Sequence, residues 1–168
     1  WYYSLIQEKA IKGAAFTGAT MCTAQDEPLD TLMYYDARPY TLFNGLFDFY
    51  TQKPLPPYYS LYAWSHLSRY GKQAKTSISG GEIGDLYATA AISPAGALRL
   101  LVTRYNDDNN VIRDKQVKIN LGDDFTGEVM GYLGGTGAGH GCFLRGEGKG
   151  LFQPIVDLFF KFLSLVFE

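Results

Sequence analysis

Cysteine is scarce in this chain of 168 residues: Cys22 and Cys142 are the only two. Two thiols so placed build no disulfide framework and have no metal-ligand spacing, so neither a disulfide scaffold nor a zinc site is expected. Positive charge is not in excess either. Fifteen Lys and Arg stand against 17 Asp and Glu, a net charge of −2, which removes the basic footprint of a nucleic-acid binder. No run reaches the roughly 18 uninterrupted apolar residues of a helical membrane span. Charged residues make up 19% and hydrophobic ones 46%, the balance of a globular chain and not of a disordered one. Aromatics are plentiful: 13 Tyr, 11 Phe and 2 Trp, or 15%, which suits a sugar or peptide surface. The chain opens on Trp1 with no Met and no signal-peptide pattern, and runs straight into an apolar stripe. It reads as a piece of something longer, with the cytoplasm favoured.

Tyr3, Ile6, Ala10, Ala14, Thr17, Met21 and Ala24 recur three or four apart and predict one helix. Gly13, Ala14, Ala15, Gly18 and Ala19 leave that helix a flat face on which a sheet can rest. Asp26-Glu27-Pro28 ends it, because proline lacks a donor and displaces its predecessor from the α region. Residues 32–35 are apolar on both faces, the pattern of a parallel strand buried on both sides. Pro57 suits a helix first turn, and Tyr59, Tyr62, Ala63, His66, Leu67 and Tyr70 mark a second helix, closed by Gly71. Beyond it the period changes to two: Leu86, Ala88, Ala90 and Ile92, then Leu98, Leu100 and Val102, then Val117, Ile119 and Leu121, with Phe125, Val129 and Leu133 as one more strand. This is an antiparallel meander of β-sandwich type, with a boundary near residues 71–76. Ten of the 19 glycines fall between Gly127 and Gly150, followed by a dense apolar tail. A linker and a small buried or self-associating segment are expected there, with an amphipathic helix open for the tail.

The glycine run 134–141 offers no G-x-G-x-x-G, and Gly148-Lys149-Gly150 lacks both the upstream Gly and the Ser/Thr of a P-loop. The acidic-amide loop 106–110 lacks the Gly and distal Glu of a calcium loop, and turn chemistry explains it. No metal or cofactor is expected. His66 reads as a hydrogen-bonded core or interface histidine. The informative cluster is Tyr34-Tyr35-Asp36-Ala37-Arg38-Pro39 with Asn44 and Asp48. At the C-terminal end of a parallel strand these side chains emerge where α/β barrels place their sites. Tyr and Phe present flat faces to a sugar ring, while Asp, Asn and Arg present directional partners to its hydroxyls. The competing reading is an Asp36–Arg38 ion pair that braces the loop.

Lys12-Gly13-Ala14-Ala15-Phe16-Thr17, residues 32–39 and residues 44–51 resemble the final barrel segment of bacterial glycoside hydrolases, most nearly the β-xylosidase-like enzymes of glycoside hydrolase family 39. Residues 54–71 resemble that family's last barrel helix, and residues 86–121 its flanking β-sandwich. The likeness covers roughly residues 3–122, and the pattern is lost from about Gly131 onward. The resemblance implies a retaining glycosidase with two catalytic glutamates. Glu8, Glu27, Glu82, Glu128, Glu147 and Glu168 match neither, and retention needs two carboxyls about 5–5.5 Å apart. No catalytic residue is therefore expected in this chain.

The expected architecture is α/β plus β: the last strand and helices of a (β/α)8 barrel over residues 1–72, part of a β-sandwich over 73–133, and a glycine-rich linker with an apolar tail over 134–168. The expected role is a share of the sugar-binding site for a β-linked xylose-like substrate, through Tyr35, Asp36, Arg38 and Asn44, with Phe47 or Tyr50 as stacking platform. Neither nucleic acid nor membrane is an expected partner, and exposed barrel faces allow self-association. The alternative is a non-catalytic β-sandwich that binds carbohydrate or buttresses a neighbouring domain.

Overall fold

The computed structural model describes residues 2–41, 45–79, 85–111, 115–121, 131–134, 155–160 and 164–167. Two helices, α1 (Tyr2–Lys9) and α2 (Ile11–Ala24), replace the single expected one. The break falls at Ala10, whose backbone is extended (φ −93°, ψ −179°). Gly13 accommodates it: the Glu8 carbonyl occupies the space that a Cβ there would need, so only glycine lets α1 fold back this closely.

Helix α3 (Pro56–Ser68) carries Pro at its first positions, as expected. Its buried face keeps Ala63 and Leu67 of the stripe read from the sequence but not Tyr59 and Tyr62. Pro57, Ser60, Ala63 and Leu67 are buried, whereas Tyr59 and Tyr62 are more than half exposed. Small side chains decide the matter, because they let α3 approach α2 closely enough for the Ser60 hydroxyl to donate to the Ala14 carbonyl at 2.8 Å.

The strands are β1 (Lys72–Ala74), β2 (Leu86–Ile92), β3 (Leu98–Arg104), β4 (Lys115–Asn120), β5 (Gly131–Gly134), β6 (Ile155–Phe160) and β7 (Ser164–Phe167). One sheet has the order β1-β2-β3-β7-β5 and the second pairs β4 with β6. Every ladder is antiparallel. The β2–β3 hairpin turns at Ser93, whose hydroxyl accepts from the Ala97 amide at 3.0 Å, and at Gly96, whose φ of 85° suits glycine. The apolar tail supplies β6 and β7. Pro154 precedes the first of these and Ile155, Val156, Phe159 and Phe160 fill it, residues that favour a pleated strand over a helix.

Strands β2 and β3 are covered on both sides, which explains why apolar residues occur on both faces of each. On one face Ala91 and Leu101 join Cys22, Ala63 and Leu67 of the helices, with Trp64, Tyr70 and Tyr87 packed around them. On the other, Ala90, Leu100 and Val102 meet Ile119, flanked by Val117 and Leu121. The small-residue face of α2 does carry the sheet: a Cβ at Gly18 would lie 3.1–3.2 Å from the side chain of Thr103 on β3. Cys22 sits in this core, and burial pushes its thiol up to about 12, so it stays protonated and unreactive at neutral pH.

Residues 32–35 depart from expectation. They carry no strand among the described residues, and Met33 and Tyr35 are 84% and 81% exposed. A strand exists only through ladder partners, and every described strand is already engaged in one of the two antiparallel sheets. No described helix is long and apolar enough to cross a membrane. Asn44, Phe125, Val129 and the glycine-rich stretch beyond Gly134, with His140 and Cys142, lie outside the described residues.

Candidate functional site

The loop that follows residues 32–35 is organised by Asp36. Its residue is only 4% exposed, although the chain around it is open to solvent. Carboxylate Oδ1 accepts from the Arg38 amide at 2.6 Å. Oδ2 accepts from Arg38 Nε at 3.0 Å and Nη2 at 2.7 Å. A single neighbour two residues away thus supplies three donors, an Asx-type turn reinforced by an ion pair. These bonds hold the Asp36 carboxyl below the usual carboxylate range, the Arg38 side chain first and its amide second. The Arg38 pKa is raised in turn, chiefly by Asp36, with Tyr35 contributing.

The bracing role of Asp36 is therefore physically present, while the Arg38 side chain, 72% exposed, and the Tyr35 ring stand outward. The Tyr35–Asp36 peptide bond is cis.

Phe47 and Tyr50 belong to the next loop. Phe47 pairs with Pro54 in an isolated bridge, and its ring lies 5.4 Å from that of Tyr58, so α3 already occupies one side of it. Tyr50 lies near the loop's tip, 86% exposed, with its ring 5.0 Å from Phe49. Asp48 holds the loop together. Its Oδ1 accepts from the Thr51 hydroxyl at 2.7 Å and the Thr51 amide at 2.8 Å, and both bonds lower its pKa. It is a turn residue here. Tyr58, Tyr62 and His66 continue the aromatic row along the open side of α3, with Tyr62 and His66 4.6 Å apart.

A second feature was not singled out from the sequence. A groove of about 580 Å³ runs between α1–α2 and residues 32–35, bounded also by Tyr105 and Asp107. Glu8 of α1 and Lys12 of α2 both line it. Lys12 reaches over to pin the 106–110 loop, donating to the Asp107 carbonyl at 2.5 Å and to Asn109 Oδ1 at 2.7 Å. An ammonium group thus serves this turn-forming loop, and no metal-holding cluster occurs among the described residues.

Glu8 is partly buried, and its carboxyl is raised for that reason. Tyr34 beside it is pushed up to about 12, first by burial and then by the charge of Glu8. Gly45 closes this corner, since a Cβ there would overlap the Tyr34 hydroxyl. The sequence signal for the groove was the alternation Tyr34–Tyr35, one ring turned toward the helices and one toward solvent. Neither a scan of family models nor a search of curated proteins finds a match to this chain.

Proposed function

We propose that this chain is the C-terminal part of a (β/α)8-barrel glycoside hydrolase acting with retention on β-linked xylose-like sugars. In this reading it contributes part of the sugar site, and both catalytic glutamates come from barrel strands outside residues 1–168. The observation that carries the proposal is the presentation of Tyr35 and Arg38. An exposed aromatic face and an exposed guanidinium emerge together at the end of an apolar segment. They are held there by a buried carboxylate. A ring face suits the apolar side of a pyranose, and the guanidinium N–H groups turned away from Asp36 suit its hydroxyls. Asp36 acts as a positioning residue, because Arg38 already fills its accepting sites.

The test uses the complete barrel. Arg38→Ala and Tyr35→Ala are each expected to lower kcat/KM for an aryl β-xyloside at least tenfold. Tyr35→Ala should leave Tm within the narrow range of ordinary surface substitutions, whereas Arg38→Ala also strips two donors from the buried Asp36 carboxylate and should lower Tm as well. Unchanged kcat/KM with a lowered Tm would contradict the proposal.

One observation favours a second reading. Asp36 and Asp48, the carboxylates nearest the proposed site, are both consumed by local turn bonds. That suits a non-catalytic carbohydrate-binding or structural module as well as a barrel fragment.

A further inference from the structure

The groove between α1–α2 and residues 32–35 carries a charge that the fold leaves unpaired. Of the described residues that line it, Glu8, Lys12 and Asp107 are charged and the other polar ones are neutral. Lys12 and Asp107 neutralise each other through an ion pair at 3.4 Å, and the ammonium also bonds to the Asp107 carbonyl and to Asn109. Glu8 has no such partner. Among the described residues no cation pairs with its carboxylate and no donor bonds to it, and Lys9 acts on it only through space. It is partly buried beside Gly45, where an added Cβ would overlap the Tyr34 hydroxyl and stand 3.2 Å from Glu8 Oε1. A carboxylate withdrawn from water in this way gains most from a cation. Aromatic rings stand around it. Phe16, Tyr34 and Tyr105 all line the groove, with Phe16 and Tyr105 edge to face at 5.3 Å. Lys12 Nζ already lies 6.0 Å from the centre of the Tyr105 ring.

We infer that this groove binds a small organic cation, an ammonium group on an apolar body, with Glu8 as its counter-ion and the rings of Phe16, Tyr34 and Tyr105 as its walls. Ring faces and a carboxylate both attract an ammonium, and Met21 and Leu61 receive the apolar remainder. The volume of about 580 Å³ suits a ligand of that size. An anion would meet the Glu8 charge, and a neutral molecule would leave it unpaired. A metal ion needs several ligating side chains at once, and no group of three His, Cys, Asp or Glu that could hold one occurs among the described residues. The inference is independent of the sugar reading, which rests on Tyr35 and Arg38.

The test is an NMR titration of the whole chain with three probes of similar shape: phenethylammonium, neutral 2-phenylethanol and the phenylacetate anion. The expected result is saturable shifts of the Phe16, Tyr34 and Tyr105 signals with phenethylammonium, at a Kd about tenfold below that of the alcohol, and none with phenylacetate. Glu8→Gln keeps the shape and removes the charge. It should bring the ammonium level with the alcohol, while Tm stays equal or rises because a partly buried, unpaired charge is gone. Equal Kd for ammonium and alcohol in the unsubstituted chain would overturn the inference. So would ammonium binding that Glu8→Gln leaves unchanged, or the absence of any saturable shift. Saturable binding of methyl β-xyloside at the same signals, lost in Glu8→Gln, would also overturn it, by making the groove a sugar subsite.

Discussion

Replacing Asp85 by alanine is expected to destabilise the fold by about 3–5 kcal/mol, the range for removing one partner of a buried ion pair. Arg104 Nε donates to Asp85 Oδ2 at 2.7 Å, and the two side chains are 8% and 10% exposed. The pair ties the end of β3 to the start of β2, where the Tyr105 amide also donates to the Asp85 carbonyl at 2.8 Å. Without the carboxylate, a guanidinium that is always charged stays desolvated. The double variant Asp85→Ala, Arg104→Met should recover much of the loss, since an apolar replacement of similar length removes the desolvated charge. Urea midpoints at constant m-value would measure both. A loss under 1 kcal/mol in the single variant would show that water reaches Arg104 and that this corner is open.

The second large effect is expected at Leu101. It is fully buried, at 0% exposure, and sits where β3 meets Cys22, Ala63 and Leu67. Leu101→Ala should cost about 2–5 kcal/mol through lost transfer energy and the cavity left behind. For a chain of this length that corresponds to a fall in Tm on the order of 10 °C. Because Leu101 touches both helices and sheet, calorimetry should show one transition moving as a whole. A shift confined to a separate, second transition would mean that helices and sheet unfold independently.

Local chemistry explains which parts of this architecture the sequence reveals. The period-two runs at Leu86 to Ile92 and Leu98 to Val102 become β2 and β3, bounded by the turn formers Ser93, Pro94 and Gly96. The glycine and alanine face of α2 is legible for a similar reason, since small residues in a row have few uses besides close approach. The Ala10 break is not legible, as Ala is a strong helix former and its mark is the close approach of the Glu8 carbonyl to Gly13, five residues later. The orientation of α3 is legible only in part: Ala63 and Leu67 of the expected stripe are buried, whereas Ser60 is buried where Tyr59 and Tyr62 were expected, because packing against α2 rewards smallness. Asp36 and Arg38 were legible as a pair. Their competing roles were not separable until the three bonds to Arg38 assigned bracing to one and exposure to the other.

The exposed state of residues 32–35 joins the fold to the function proposed here. An apolar segment that ends in Tyr35 and Arg38 lines the groove beside α1 and α2.

The most direct measurement is hydrolysis of a panel of aryl β-glycosides, xyloside foremost, by this chain and by a form extended to a complete barrel. The account predicts turnover by the extended form alone, with xyloside preferred. Turnover by residues 1–168 themselves would contradict it, because the catalytic carboxylates would then lie within this chain. Inactivity of both forms across the panel would contradict it in the other direction and leave the non-catalytic module as the reading to pursue.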